Sequence, residues 1–132
     1  MGYLLDTNIV SVILKNNPTL NREYRALRGQ NAQIFISGIT YYEVKRGLLY
    51  LNASRKLAKF EIFCAGVTII IPDLNILEIA CRIHGNLKAR GRPIGDADIL
   101  IAATAISHDF ILVSHDADML NIEGLNLENW VQ

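Results

Sequence analysis

The chain has 132 residues, 51% of them hydrophobic, and its 13 basic and 13 acidic side chains give a formal net charge of zero. That length and apolar content suit one sizeable core, expected as a single domain over 1–132. No apolar run approaches the roughly 18 residues that span a bilayer, and the start of the chain lacks the basic region and long apolar stretch of a signal peptide, so a cytoplasmic protein without membrane association is expected.

Tyr3-Leu4-Leu5 reads as a short buried strand that stops at a carboxylate, Asp6, followed by the small polar pair Thr7 and Asn8. A helix is expected over 9–15, ended by the breaker cluster Asn16-Asn17-Pro18, and a second over 20–28 with Arg22, Arg25 and Arg28 along its solvated face. Gln33-Ile34-Phe35-Ile36-Ser37 is the second strand, leading to a helix over 40–51 that contains Glu43. A helix over 54–64, with Arg55, Lys56 and Lys59 on its polar side, precedes the third strand, Val67-Thr68-Ile69-Ile70-Ile71.

Pro72-Asp73 opens a long helix to residue 90, with Asp73 as N-cap and Ile76, Ala80, Ile83 and Leu87 as its apolar stripe. After the loop 91–95, the segment 96–107 is helical and apolar nearly all round, which marks it as central to its domain. The fourth strand is expected over 110–114, followed by His115-Asp116-Ala117-Asp118, and the tail 124–130 adds a short edge strand. Cys64 and Cys81 lie in apolar helical surroundings without metal-type spacing and read as reduced core residues.

Strands alternating with helices indicate a three-layer α/β/α sandwich around a mostly parallel sheet of four to five strands. In such a sheet the right-handed crossover rule gathers the carboxyl ends of the strands on one edge, where function collects. Asp6 and Asp116 arrive at that edge from strand ends; Glu43 and Asp98 reach it from helices.

Each acid also has an ordinary reading. Asp6, Asp96 and Asp116 are apt helix caps, Glu43 completes a capping box with Thr40, and Asp98 favours the first-turn dipole. Asp6 and Asp98, however, adjoin strongly apolar segments, where a lone ionised carboxylate costs several kcal/mol unless it is paired or bound to metal. Charge is unevenly spread along the chain: residues 1–92 hold all 13 basic and 6 acidic side chains, net +7, and residues 93–132 hold 7 acidic and no basic ones, net −7. Chance, with the halves intermixed on folding, accounts for this as well as a functional split does.

Taken together, acids without a local base point to a hard divalent cation, Mg²⁺ or Mn²⁺, which takes oxygen ligands and keeps several waters. Such an ion turns water into a nucleophile and stabilises charge on a phosphate in flight, so with a cationic surface the chemistry indicated is phosphodiester hydrolysis. Zinc is disfavoured, because His84, His108 and His115 form no i, i+4 pair and the cysteines have no ligand spacing. There is no Walker-type glycine loop and no Gly-x-Ser-x-Gly elbow. A receiver-like phosphoacceptor would want a late lysine, and none follows Arg92. A catalytically silent scaffold that binds RNA or protein is the alternative to an enzyme, and retention of all four acids weighs against it.

The ordered set Leu5-Asp6-Thr7-Asn8, Ser37-Gly38-Ile39-Thr40 with Glu43 and Gly47, Asp98-Ile99-Leu100-Ile101-Ala102-Ala103, Ser114-His115-Asp116-Ala117-Asp118 and Gly124-Leu125 with Glu128-Asn129-Trp130 resembles the PIN-domain ribonucleases, and within them the VapC-type toxins of toxin-antitoxin modules. The resemblance covers essentially the whole chain. It implies a PIN-like fold and an endoribonuclease that uses Mg²⁺ or Mn²⁺ held by Asp6, Glu43 and Asp98, with Asp116 as the more variable fourth acid or Asp118 in its place. Thr7, Asn8 and Ser114 would orient carboxylates or bound water, while Asp96 is either a cap or a further outer acid. Ser114 stands where threonine is commoner in the family, and Met119 where an aromatic residue often follows the last acid. Also implied are a homodimer, a VapB-type antitoxin, and a structured RNA substrate such as tRNA; exposed parts of Tyr41, Tyr42, Leu48, Leu49 and Tyr50 are the contact candidates.

Overall fold

A computed structural model describes residues 2–130. The elements follow in the order β1 (Gly2–Leu5), α1 (Thr7–Leu14), α2 (Pro18–Gly29), β2 (Gln33–Ser37), α3 (Gly38–Tyr50), α4 (Ser54–Ala65), β3 (Thr68–Ile70), α5 (Leu74–Ala89), α6 (Asp96–His108), β4 (Ile111–Val113), a 3₁₀ turn (Ala117–Asn121) and β5 (Asn126–Glu128). Five strands make one sheet in the order β3-β2-β1-β4-β5, every neighbouring pair parallel. The expected sandwich is therefore present, with a sheet parallel throughout.

Successive residues of β1 serve opposite layers, as a strand's period of two requires. Leu4, paired with Leu112, packs into the core beneath α5 and α6, with Ile76, Ile83, Leu87 and Ile101. Leu5, paired with Val113, faces the second core, built with Ile9, Leu20, Phe60 and Phe63 of α1, α2 and α4. The long-helix stripe Ile76, Ala80, Ile83 and Leu87 is buried as expected, and so is the middle of α6, Ile99 with Ile101 to Ala105.

Local capping moves several helix starts from where periodicity alone puts them. Asn17 accepts a 3.0 Å bond from the Leu20 amide and Pro18 occupies the first turn of α2, so the Asn-Asn-Pro cluster starts a helix as well as ending one. Ser37 caps α3 through the Ile39 amide at 3.1 Å, which starts that helix at Gly38 and removes Thr40 as its cap; the expected Thr40–Glu43 capping box does not form. Asp73 caps α5 as expected, at 2.9 Å from the Ile76 amide. Gly95, not Asp96, is the N-cap of α6, and no side chain bonds there. The third and fourth strands are shorter than expected, three residues each.

The cysteines are free, but only Cys64 is partly buried; Cys81 is exposed, which corrects its reading as a core residue. Tyr42, Leu49 and Tyr50 are exposed on α3, whereas Tyr41 and Leu48 pack against the second core. Among the described residues, no helix is long and apolar enough to cross a membrane.

Candidate active site

The chain leaves β1 toward β2 on one side and returns to β4 on the other, so the sheet's switch point lies between β1 and β4. Crevices at the carboxyl ends of strands open at such points. The β1–β4 register continues one step past Leu5 and Val113 through a 2.9 Å bond from the Asp6 amide to the Val113 carbonyl, which brings Asp6 and Ser114 side by side.

Asp6 is 2% exposed, and both of its carboxylate oxygens accept hydrogen bonds. Its Oδ1 accepts from the Thr7 amide at 2.8 Å, so it is also the cap of α1; its Oδ2 accepts from Ser114 Oγ at 2.7 Å and Asn8 Nδ2 at 3.3 Å. Ser114 Oγ in turn accepts from the Asp116 amide at 3.0 Å, which ties the loop after β4 to the same carboxylate. Asp116 caps the 3₁₀ turn by accepting from the Asp118 amide at 3.0 Å.

Glu43 arrives from the second turn of α3. Its Oε1 accepts a 2.8 Å bond from Thr7 Oγ1, and Thr7 Oγ1 lies 3.0 Å from the hydroxyl of Thr40. Thr7 has one hydroxyl proton; with that on Glu43, Thr40 donates to Thr7. Thr40 is fully buried, and its part in this relay is the residue role that the sequence reading missed. The signal was its place three residues before Glu43, which puts both on one face of α3.

The charges meet as well as the hydrogen bonds. Burial pushes the Asp6 carboxyl above its usual range against the hydrogen bonds from Ser114 and Thr7, and the charges of Asp116 and Glu43 add to the rise. Asp98, in the first turn of α6, is pushed up to about 6, first by burial and then by Asp6, Asp116, Glu43 and Asp118. All the charges raising Asp98 are carboxylates. Asp116 acts on both Asp6 and Asp98, whereas Asp118, which is exposed, acts last and, of these two acids, on Asp98 alone. Asp96 is exposed and is neither the cap of α6 nor among the charges that shift these two acids.

This donor set fits a hard divalent cation. All the groups are oxygens, the carboxylates crowd one another, and Asn8 Oδ1 is buried beside them without a hydrogen-bond partner. Among the described residues, no three His, Cys, Asp or Glu side chains stand close enough to enclose an ion by themselves, so water would complete its shell, as is usual for Mg²⁺. A cavity of about 500 Å³ lined by Asn75, Arg82, Asn86 and Glu123 shares no residue with this edge.

A PIN domain profile matches residues 3–125, and the chain belongs to that family. Ribonuclease VapC1 of Haemophilus influenzae is 30% identical over 134 residues, which cover 100% of both chains. The tRNA(fMet)-specific endonuclease VapC of Shigella flexneri is 30% identical over 132 residues, 98% of each. Among solved structures, VapBC2 from Rickettsia felis bound to a DNA fragment from its promoter aligns with a TM-score of 0.92 at 28% identity, over 99% of this chain and 100% of that one. Its relatives thus lie among the VapC ribonucleases of toxin-antitoxin pairs.

Proposed function

We propose that this VapC-type endoribonuclease is the toxin of its pair and hydrolyses phosphodiester bonds in structured RNA, with tRNA as the substrate class, at the edge formed by Asp6, Glu43, Asp98 and Asp116. The observation that supports the assignment is the meeting of these acids at one sheet edge, where Asp6 is buried and tied to Ser114 and where burial first, and then the charges of Asp6, Asp116 and Glu43, push the Asp98 carboxyl upward. Asp6 and Asp98 would hold Mg²⁺ or Mn²⁺, with Glu43 and Asp116 joining directly or through water. When bound, the ion supplies activation of water and stabilisation of the charge that builds on the phosphate.

The protein's own groups set the geometry. Ser114 and Asn8 fix the orientation of Asp6; Thr7, backed by Thr40, fixes Glu43. Such supports hold ligating carboxylates in place and tune their basicity. In the reaction a water oxygen bonds to phosphorus, the bond from phosphorus to the leaving sugar oxygen breaks, and that oxygen takes up a proton. Asp118, which is exposed, would act on the field around the site and not on the reacting phosphate, and the exposed Asp96 would take no part in it.

The tRNA assignment leans on the Shigella flexneri relative, and a VapB-type antitoxin on the VapBC neighbours. A homodimer is part of the same proposal, with the exposed Tyr42, Leu49 and Tyr50 as contact candidates. Purified protein freed of antitoxin is expected to cut bulk tRNA with Mg²⁺ or Mn²⁺ and to stop when the metal is chelated. Intact RNA under those conditions at low salt would overturn the assignment.

A further inference from the structure

A cleft of about 260 Å³ opens directly beside the carboxylates, between α1, α3 and the start of α4. Thr7 and Glu43 form one wall of it, Leu14, Val44 and Leu48 line its apolar part, and Lys15 and Lys56 stand at its cationic end. We propose that this cleft is a nucleotide subsite of the ribonuclease site, which takes the base of a residue flanking the cut on its apolar wall and the adjoining phosphate on the two lysines. The inference rests on the ribonuclease reading and deepens it.

Three independent features favour this occupant. Thr7, Ser11 and Lys15 recur at four-residue spacing, so α1 and its C-cap Lys15 lay one polar stripe along the cleft from the acid site to the cationic end. Gly47 sits in the interior of α3 and lines the cleft, and a Cβ built there meets nothing within 4 Å. A glycine in a helix interior costs about 1 kcal/mol relative to alanine, and close packing does not require it here; its effect is to leave the cleft open.

The first turn of α4 carries Arg55 and Lys56 and has no side-chain cap, the reverse of what a helix start prefers. Two cations at the positive end of a helix suit an incoming anion. A polymer that alternates flat bases with single phosphates matches an apolar wall with a cationic end. An acidic peptide segment would match the lysines but would have no use for an open wall at Gly47.

The test compares wild type with Lys15→Glu/Lys56→Glu and with Gly47→Leu, using bulk tRNA for cleavage and a short single-stranded RNA of mixed sequence for binding to the Asp6→Asn protein. Each variant is first checked for an unchanged melting temperature; Lys15→Ala/Lys56→Ala and Gly47→Ala replace any that melts early. The lysine pair is expected to raise KM about tenfold with kcat little changed and to flatten the salt dependence of binding by ~0.7 in log–log slope, the share of the one single-strand phosphate that is no longer neutralised. Gly47→Leu is expected to raise KM without altering that slope, because it fills the wall and leaves the charges. If wild type cuts tRNA while the variants show its KM and its salt slope, the subsite is overturned and the ribonuclease reading stands. If the lysine pair weakens only antitoxin binding, the cleft belongs to a peptide and the inference fails. A wild type that cuts no RNA would remove both readings together.

Discussion

Ser114 donates a 2.7 Å hydrogen bond to Asp6 across the junction of two neighbouring parallel strands that lie 108 residues apart in the chain. That one bond ties the last acid-bearing loop to the first, since Ser114 also accepts from the Asp116 amide. Ser114→Ala removes the strongest support of a buried carboxylate. Divalent-cation affinity is expected to fall about 10–100-fold, the usual cost of removing such a support, while Ser114→Thr keeps the hydroxyl and the affinity. Calorimetric titration with Mn²⁺ checks both.

Thr7 has the same role toward Glu43. Thr7→Val preserves shape, removes the donor and leaves both Glu43 and the buried Thr40 hydroxyl short of a partner, at a stability cost of about 1–3 kcal/mol. Cleavage is expected to fall about tenfold or more, with Thr7→Ser recovering most of it. Urea unfolding and tRNA cleavage measured on the same preparations separate the two effects.

The raised ionisation of Asp98 has a definite sign. Its carboxyl titrates at about 6 in the folded protein against an ordinary 3.8, so between those pH values the fold keeps a proton that the unfolded chain has released. Stability contributed by this group is then lost as pH rises from 3.8 to about 6 and is level above that; the upward shift of Asp6 acts in the same sense. Divalent cations bind the deprotonated acids, so Mg²⁺ is expected to raise the unfolding midpoint above pH 6 and to lose that effect below it. Urea midpoints across this range, with Mg²⁺ and with chelator, give the test.

Trp130 is 8% exposed, lies with its ring 6.0 Å from that of Tyr3, and donates from Nε1 to Glu128 at 3.2 Å. It pins the segment after the edge strand to the second core. Trp130→Ala is expected to destabilise the fold by about 3–5 kcal/mol, the usual range for an aromatic core truncation, as read from urea unfolding.

Much of this site was legible in the sequence because the parallel fold does the sorting. An apolar run ending at Asp6 is a strand end, and the alternation of strands with helices sends Asp116 to the same edge. What local patterns could not supply was tertiary choice. Glu43 fits a capping box with Thr40 on spacing alone, yet Ser37 takes the cap, and Glu43 bonds Thr7 from another element instead. Asp96 likewise fits a cap, but the chain enters α6 through Gly95 and leaves Asp96 in solvent. The turn itself was not legible either: Asp116 caps it by accepting the amide of Asp118, and of the two only Asp116 bears on both Asp6 and Asp98.

The central claim is that the crowded carboxylates exist to act on RNA with a divalent cation. The most direct measurement is cleavage of tRNA by wild type, Asp6→Asn and Asp98→Asn at equal, saturating Mg²⁺, with unfolding midpoints taken alongside. Wild type is expected to cut, and both variants are expected to lose at least about a hundredfold in rate, which is about 2.7 kcal/mol of barrier, while remaining as stable as wild type in chelator because a crowded charge has been removed. Variants that cut at the wild-type rate would contradict the account.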